Sequence, residues 1–212
     1  KDIAQRYKLR NLHNLQRVIS LVFDSIGSYV SPTNIAATLN KNSNKTISHN
    51  TIIKYLDFLT NSYIIYAAPR YDIKGKELLS TNPKYYLVDL GLKNITTTNK
   101  YDADLGRKLE NVVYFELLRR GGKIYAGKNN DKEIDFVVQK PNNEREYYQI
   151  AFTVNDEKTF EREISAFRNI RDNYPKFLLT LDFDKTNIDG IQKVNVIDWL
   201  LGASHSPYQR LK

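Results

Sequence analysis

PRYDIKGKELLSTNPKYYLVDLGL, residues 69–92, is followed after a short polar connection by LGRKLENVVYFELLRRGG, residues 105–122. The first stretch closes one small domain and the second, a helix, opens another. Residues 93–104 hold few apolar side chains and read as a linker. The expected organisation is therefore a first domain over 1–92, a linker over 93–104, a second domain over 105–202 and a tail over 203–212.

Upstream of the pivot, Leu12, Leu15, Val18, Ile19, Val22, Phe23 and Ile26 recur at helical spacing, so residues 2–29 read as one helix with Gly27 near its end. Ser31-Pro32 supplies a cap and a first-turn proline for a second helix, striped by Ile35, Ala36 and Leu39. After a polar, basic loop at 40–46, Ser48 caps a third helix. Its Ile52, Tyr55, Leu56 and Leu59 face inward while His49, Asn50, Lys54 and Asp57 face out. Two short β-prone runs, 64–68 and 85–89, flank the charged segment 72–83. Three helices and a hairpin make the pattern of a winged helix-turn-helix domain.

From Leu105 the expected order is helix (105–120), strands at 123–126, 133–139 and 147–154, helix (156–171) and strand (177–181). A last strand or turn at 194–197 then runs into Asp198-Trp199-Leu200-Leu201. The αβββαβ order is that of an α/β (α+β) restriction-endonuclease-like domain.

The pivot, PRYDIKGKELLSTNPKYYLVDLGL followed by GRKLENVVYFELLRRG, resembles the module that lies C-terminal to the P-loop domain in a large family of prokaryotic AAA-type ATPases, long labelled as of unknown function. The resemblance implies a winged helix followed by a degenerate PD-(D/E)xK domain, and an N-terminal P-loop ATPase domain of the same chain as partner. No Gly-x-x-x-x-Gly-Lys-Ser/Thr occurs, so ATP would belong to that parent domain alone.

The nuclease pattern implied by the resemblance needs a helix Glu, a strand Asp and a Glu-x-Lys on the next strand. The acids hold a Mg or Mn ion that polarises the phosphoryl oxygen and supplies hydroxide. Glu110, Asp135 and Gln149 stand at three of these positions, with Glu110 and Asp135 as the candidate metal ligands. Strand alternation in KEIDFVV places Ile134, Phe136 and Val138 on one face and Glu133 and Asp135 on the other. In YYQIAFTV, Ile150, Phe152 and Val154 oppose Gln149 and Ala151. The departures matter: Gln149 contributes no charge, and Ala151 stands where a lysine belongs. Activity would require compensation, from Lys158 on the following helix or from Glu133 as an extra ligand. The alternative for Glu110 and Asp135 is a buried polar cluster retained for fold specificity.

The chain of 212 residues is 41% hydrophobic and 26% charged, enough for one large or two small cores. Without cysteine it can form no disulfide or thiolate zinc site, and a reducing cytoplasm is the natural compartment. It also lacks methionine, which points to a piece of a longer protein. No apolar run reaches the ~18 residues a membrane span requires. His13, His49 and His205 show no ligand spacing, and no nucleophile is paired with a base. The glutamates, lysines and arginines of the helix at 156–171 read as an exposed scaffold face.

Of the net charge of +8, residues 1–92 hold +6, from 12 Lys/Arg against 6 Asp/Glu. Such an excess suits a polyanion, although a Lys-, Asn- and Tyr-rich composition also follows from an AT-rich genome. If the partner is duplex DNA, Ser48, His49, Asn50 and Lys54 face the major groove, with Arg70, Lys74, Lys76 and Lys84 along the backbone. The alternative is a protein contact with the parent ATPase. An exposed Tyr or Leu on the third helix would favour it.

Overall fold

The computed structural model describes residues 12–41, 46–96 and 105–202. The beginning of the first expected helix, part of the loop before the third, most of the linker, His205 and the tail lie outside the described residues. The chain is mixed α/β and forms two compact units. One runs to Pro69 and resumes at Ser80; the other comprises Arg70–Leu79 and the chain after residue 103.

The first unit begins with α1 (Leu12–Asp24), α2 (Pro32–Asn40) and α3 (His49–Asn61). Ser31 caps α2 by accepting from the Asn34 amide, and Ser48 caps α3 by accepting from Thr51. The connection before α3 is closed by Asn40, whose amide accepts from Ile47 N at 2.7 Å and donates to Ile47 O at 2.9 Å. Val18, Val22, Ile52, Leu59 and Ile65 are wholly enclosed at the centre of the unit's core. Two long strands follow, β1 (Ile65–Asp72) and β2 (Glu77–Leu87), and then α4 (Leu90–Thr96). The chain between α1 and α2 joins this hairpin: Gly27 N donates to Tyr85 O and Val30 N to Pro83 O.

Three sequence expectations are corrected here. The hairpin strands are much longer than 64–68 and 85–89, because the charged segment was counted as loop although most of it is extended with its side chains in solvent. A helix, α4, stands where the linker was expected to begin. The hairpin is also no free wing, since its outer end, Arg70–Leu79, belongs to the second unit.

In the second unit the strands run in the order β2-β1-β3-β4-β5-β6-β8-β7, with only the outer parts of β1 and β2 included. The remaining elements are α5 (Leu105–Arg120), β3 (Lys123–Asn129), β4 (Lys132–Gln139), β5 (Arg145–Ile150), α6 (Glu157–Ser165), β6 (Lys176–Thr180), β7 (Thr186–Ile188), β8 (Ile191–Asn195) and α7 (Val196–Leu200). β1 joins β3 in parallel, Arg70 opposite Ala126. The pairs β3–β4, β4–β5 and β7–β8 are antiparallel, whereas β5–β6 and β6–β8 are parallel.

On one face, α5 sets Tyr114 against Phe136 with ring centroids 5.9 Å apart, and Tyr148 stacks on Phe177 at 4.9 Å. On the other, Ile164 and Phe167 pack against Ile134, Val137, Tyr147, Ala151 and Leu178. The hairpin β7–β8 was not expected. Its turn, Asp189-Gly190, has positive φ at both residues, the geometry of a two-residue hairpin turn. The last expected strand, 194–197, is instead the end of β8 and the start of α7, capped by Asn195.

Candidate functional site

The β4–β5 ladder runs from Gln139↔Arg145 to Phe136↔Tyr148 and stops there. On the other side of β4 the β3 register shifts between Tyr125 and Gly127, so three steps along β4 match two along β3. A bulge of this kind reverses side-chain parity. Ile134 and Val137 both close on Gly127, where an added Cβ would stand 2.9 Å from Ile134 Cβ and 2.8 Å from Val137 Cγ2. Simple alternation of Ile134 with Phe136 and Val138 is therefore corrected: Phe136 meets Tyr114, while Ile134 packs with the α6 side.

Where the ladder stops, two side chains take over its bonds. Asp135 N donates to Gln149 Oε1 at 3.2 Å, and Ile150 N donates to Asp135 Oδ2 at 2.8 Å. The other end of the Gln149 amide donates to Glu163 Oε2 at 2.8 Å. Glu163 is buried on α6, and its second oxygen accepts from Arg162 Nη2 at 2.6 Å and Nε at 3.0 Å. Asp135, Gln149 and Glu163 thus form one chain of hydrogen bonds. Glu110 is buried on α5 one turn before Tyr114, the residue that touches Phe136 beside Asp135.

Glu163 was missed because its helix reads as a charged, solvated face. The signal was present, since Glu163 stands on α6 three residues after Phe160 and directly before Ile164, both of which pack into the core. Ala151, expected on the face opposite Val154, lies in the same core as Val154, and Phe152, expected on the apolar face, is 42% exposed. Lys158 and Glu133 are exposed.

A hard divalent cation takes six or more oxygen ligands, with carboxylates dominating the protein's share. The Asp135 carboxylate already accepts a backbone N–H, both ends of Gln149 are occupied, and Glu163 is paired with Arg162. Among the described residues, no three His, Cys, Asp or Glu side chains are grouped to hold a metal. In this arrangement Asp135, Gln149 and Glu163 are spent on protein hydrogen bonds and an ion pair rather than held open for a Mg or Mn ion.

A second polar cluster lies across β6. Asp182 accepts from Thr153 Oγ1 at 2.7 Å and from Val154 N at 2.9 Å. Lys193, itself buried, reaches Asp182 at 3.2 Å and Asp184 at 2.7 Å. Burial alone would raise the Asp182 pKa, but the Thr153 hydroxyl, the Val154 N–H and the Lys193 ammonium outweigh it and hold the carboxyl below its ordinary range. Burial likewise opposes the Lys193 charge, and its two carboxylates raise its pKa nonetheless.

The residues expected at a duplex fall on both units. Ser48, His49, Asn50 and Lys54 are exposed along α3. Ser48 is committed to its cap and to Thr51 Oγ1 at 2.9 Å, and the His49 ring meets Asn50 at 3.3 Å. Ile53, on the same helix, is 37% exposed. Arg70, Lys74 and Lys76 belong to the second unit. Lys84 is corrected: it is 3% exposed, with its ammonium 5.6 Å from the centre of the Tyr29 ring, because its strand is covered there by the chain between α1 and α2.

Comparison with known proteins locates the chain without naming an activity. Residues 1–102 match the family model described as Domain of unknown function (DUF8612). An uncharacterized protein of Haemophilus influenzae is 43% identical over 201 residues, covering 94% of this chain and 49% of that protein. An uncharacterized protein of Methanocaldococcus jannaschii is 28% identical over 209 residues, covering 93% of this chain and 44% of that protein. The chain thus spans about half the length of the curated relatives it matches. No solved structure matches it. Among the described residues, no helix is long and apolar enough to cross a membrane.

Proposed function

We propose that this chain is the nucleic-acid-binding C-terminal region of a cytoplasmic AAA-type ATPase. Its first unit is a winged helix that engages duplex DNA, and its second is a restriction-endonuclease-like domain retained for binding rather than cleavage. The observation that carries the reading is the outward face of α3, where His49, Asn50 and Lys54 stand exposed beside a structural cap. A recognition helix presents such residues to a major groove, where Asn pairs with an adenine edge and Lys with phosphate or guanine. The charge surplus of residues 1–92 supports it. The loss of cleavage rests on Gln149, a neutral amide spent on protein hydrogen bonds where a metal carboxylate belongs. Relatives twice as long as the matched part leave room for the P-loop domain.

The test is fluorescence anisotropy with a labelled duplex at two salt concentrations. Binding should be saturable and salt-sensitive, with a log–log slope of about −0.9 per neutralised phosphate. Lys54→Ala should reduce that slope by about one. Asn50→Ala should cost about 1–3 kcal/mol on the preferred sequence alone. Absence of binding at low salt sinks the duplex reading. A second reading is favoured by Ile53, exposed on the same helix, and by Tyr63, 70% exposed just past it. These apolar surfaces suit docking on the parent ATPase domain, and Ile53→Asp would then abolish that contact while sparing DNA.

A further inference from the structure

The outer end of the hairpin, within the second unit, borders a cleft of about 510 Å³. Its walls come from three separate parts of the sequence. The hairpin tip gives Ile73, Lys74 and Lys76, the β3–β4 turn gives Asn129 and Asn130, and the chain between α6 and β6 gives residues 169–172. Each wall is held in place. Asp72 Oδ1 accepts from the amides of Lys74 and Gly75, at 3.0 and 3.1 Å, and Ile73 N donates to Lys128 O at 2.9 Å. The buried Asn129 amide donates to Ala166 O at 3.0 Å and Arg168 O at 2.8 Å, fixing the turn against the end of α6.

The charge in this cleft is one-sided. Among the described residues, Lys74, Lys76 and Arg171 have no carboxylate partner, and all three are exposed. The single acid on the lining, Asp172, is engaged by the Tyr147 hydroxyl at 2.6 Å and by Lys176 at 3.8 Å. Cations converging on a rigid concavity raise the local concentration of anions. A neighbouring cleft of about 640 Å³ shares Lys76 and Asp172 and adds Lys140, Arg145 and Tyr174 together with Glu144 and Glu146, the latter paired with Lys140; the Arg145 guanidinium and the Tyr174 ring lie 5.9 Å apart. Arg145 also lies 5.4 Å from the ring of Tyr71, which stacks on Tyr125 at 5.5 Å.

We infer that these contiguous clefts bind single-stranded nucleic acid. Lys74, Lys76 and Arg171 hold the phosphates, and the Arg145–Tyr174 pair offers a stacking surface for a base. Phosphate-tracking cations beside aromatic platforms are the working parts of single-strand binding, and the volumes suit individual nucleotides rather than the side of a duplex. None of the lining residues belongs to the Asp135–Gln149–Glu163 chain or to α3; Lys74 and Lys76 are shared with the set expected along a duplex backbone, whereas Arg171, Arg145 and Tyr174 are not, and the site goes beyond the α3 reading through them.

The test is anisotropy of a labelled oligothymidine 12-mer with the full chain. The triple variant Lys74→Ala/Lys76→Ala/Arg171→Ala should weaken binding at least tenfold and flatten the salt slope by about 2, at about 0.7 per phosphate for single strands. Tyr174→Ala should weaken it several-fold with the slope unchanged. Lys123→Ala, at an exposed lysine opening β3, controls for net charge and should change little. These substitutions replace exposed or half-buried side chains, and circular dichroism will check that each variant folds. Unchanged affinity in the triple variant overturns the site. Displacement of the 12-mer by thymidine monophosphate at equal phosphate concentration overturns the strand and assigns the cleft to free nucleotides. Failure of duplex binding with this pattern intact removes the α3 reading and leaves this one standing.

Discussion

Two polar clusters flank the continuation of β5, and they solve the same backbone problem with different partners. Past Phe136↔Tyr148 the β4 ladder no longer holds this strand, and Asp135 accepts Ile150 N instead. On the β6 side, Ala151 N still donates to Leu179 O and Leu181 N to Phe152 O, after which Asp182 accepts Val154 N. One aspartate from each side thus grips residues 150–154. Asp182 is balanced by the buried Lys193. Asp135 meets a neutral glutamine, behind which lies another acid, Glu163. The first cluster keeps its cation, Lys193, buried beside Asp182, as a structural clamp requires. The second, whose cation Arg162 is exposed on Glu163, lies where the nuclease pattern was expected to concentrate its acids.

Removing Asp182 should have the largest effect. Asp182→Ala strands a buried ammonium with only the exposed Asp184 beside it and leaves Val154 N without its acceptor. Breaking a buried pair in this way costs about 3–5 kcal/mol, readable as a shift of the urea midpoint. Asp182→Asn keeps an acceptor oxygen and should lose less. The pair also sets a pH window. Asp182 is held below its ordinary 3.8, so its contribution is complete above that value and lost as pH falls through the lowered pKa. Lys193 is held above 10.5, so its contribution is complete below that value and lost as pH rises through the raised pKa. The wild type should therefore lose more stability on acidification than Asp182→Asn does.

Asp135→Ala should cost less, about 1–3 kcal/mol, the penalty of orphaning the Ile150 amide. If it costs as much as Asp182→Ala, the two clusters are equally structural and the contrast between them fails.

What was legible follows from which interactions are local. The caps at Ser31 and Ser48, the apolar stripe of α3 and the position of α5 depend on neighbours within a turn, and all were readable. The bulge was not, because one extra residue between Ile134 and Val137 leaves the apolar pattern of KEIDFVV unchanged while moving a side chain to the other face. Gly127, admitting the close approach of Ile134 and Val137, was its only trace. Asp189-Gly190 carried the β7–β8 turn in plain view and went unread. The candidate site divides in the same way. Asp135 and Gln149 were paired correctly from strand position, whereas Glu163 and the Asp182–Lys193 pair join residues whose meeting is decided by tertiary packing alone.

The smallest effect is the most discriminating. Gln149→Glu keeps an oxygen for Asp135 N and replaces the donor to Glu163 with a second carboxylate. Arg162 remains on Glu163, so the cost at neutral pH should be about 1 kcal/mol, the loss of one hydrogen bond plus partly screened repulsion. The deficit should shrink as pH falls into the carboxylate range, because a protonated side chain regains a donor. The variant also restores the acid that the nuclease pattern calls for. If millimolar Mg²⁺ or Mn²⁺ raises its melting temperature but not that of the wild type, the cluster is a metal site disabled by one amide. If neither ion does so, the hydrogen bonds have displaced the metal geometry, and Asp135 is a clamp of the same kind as Asp182.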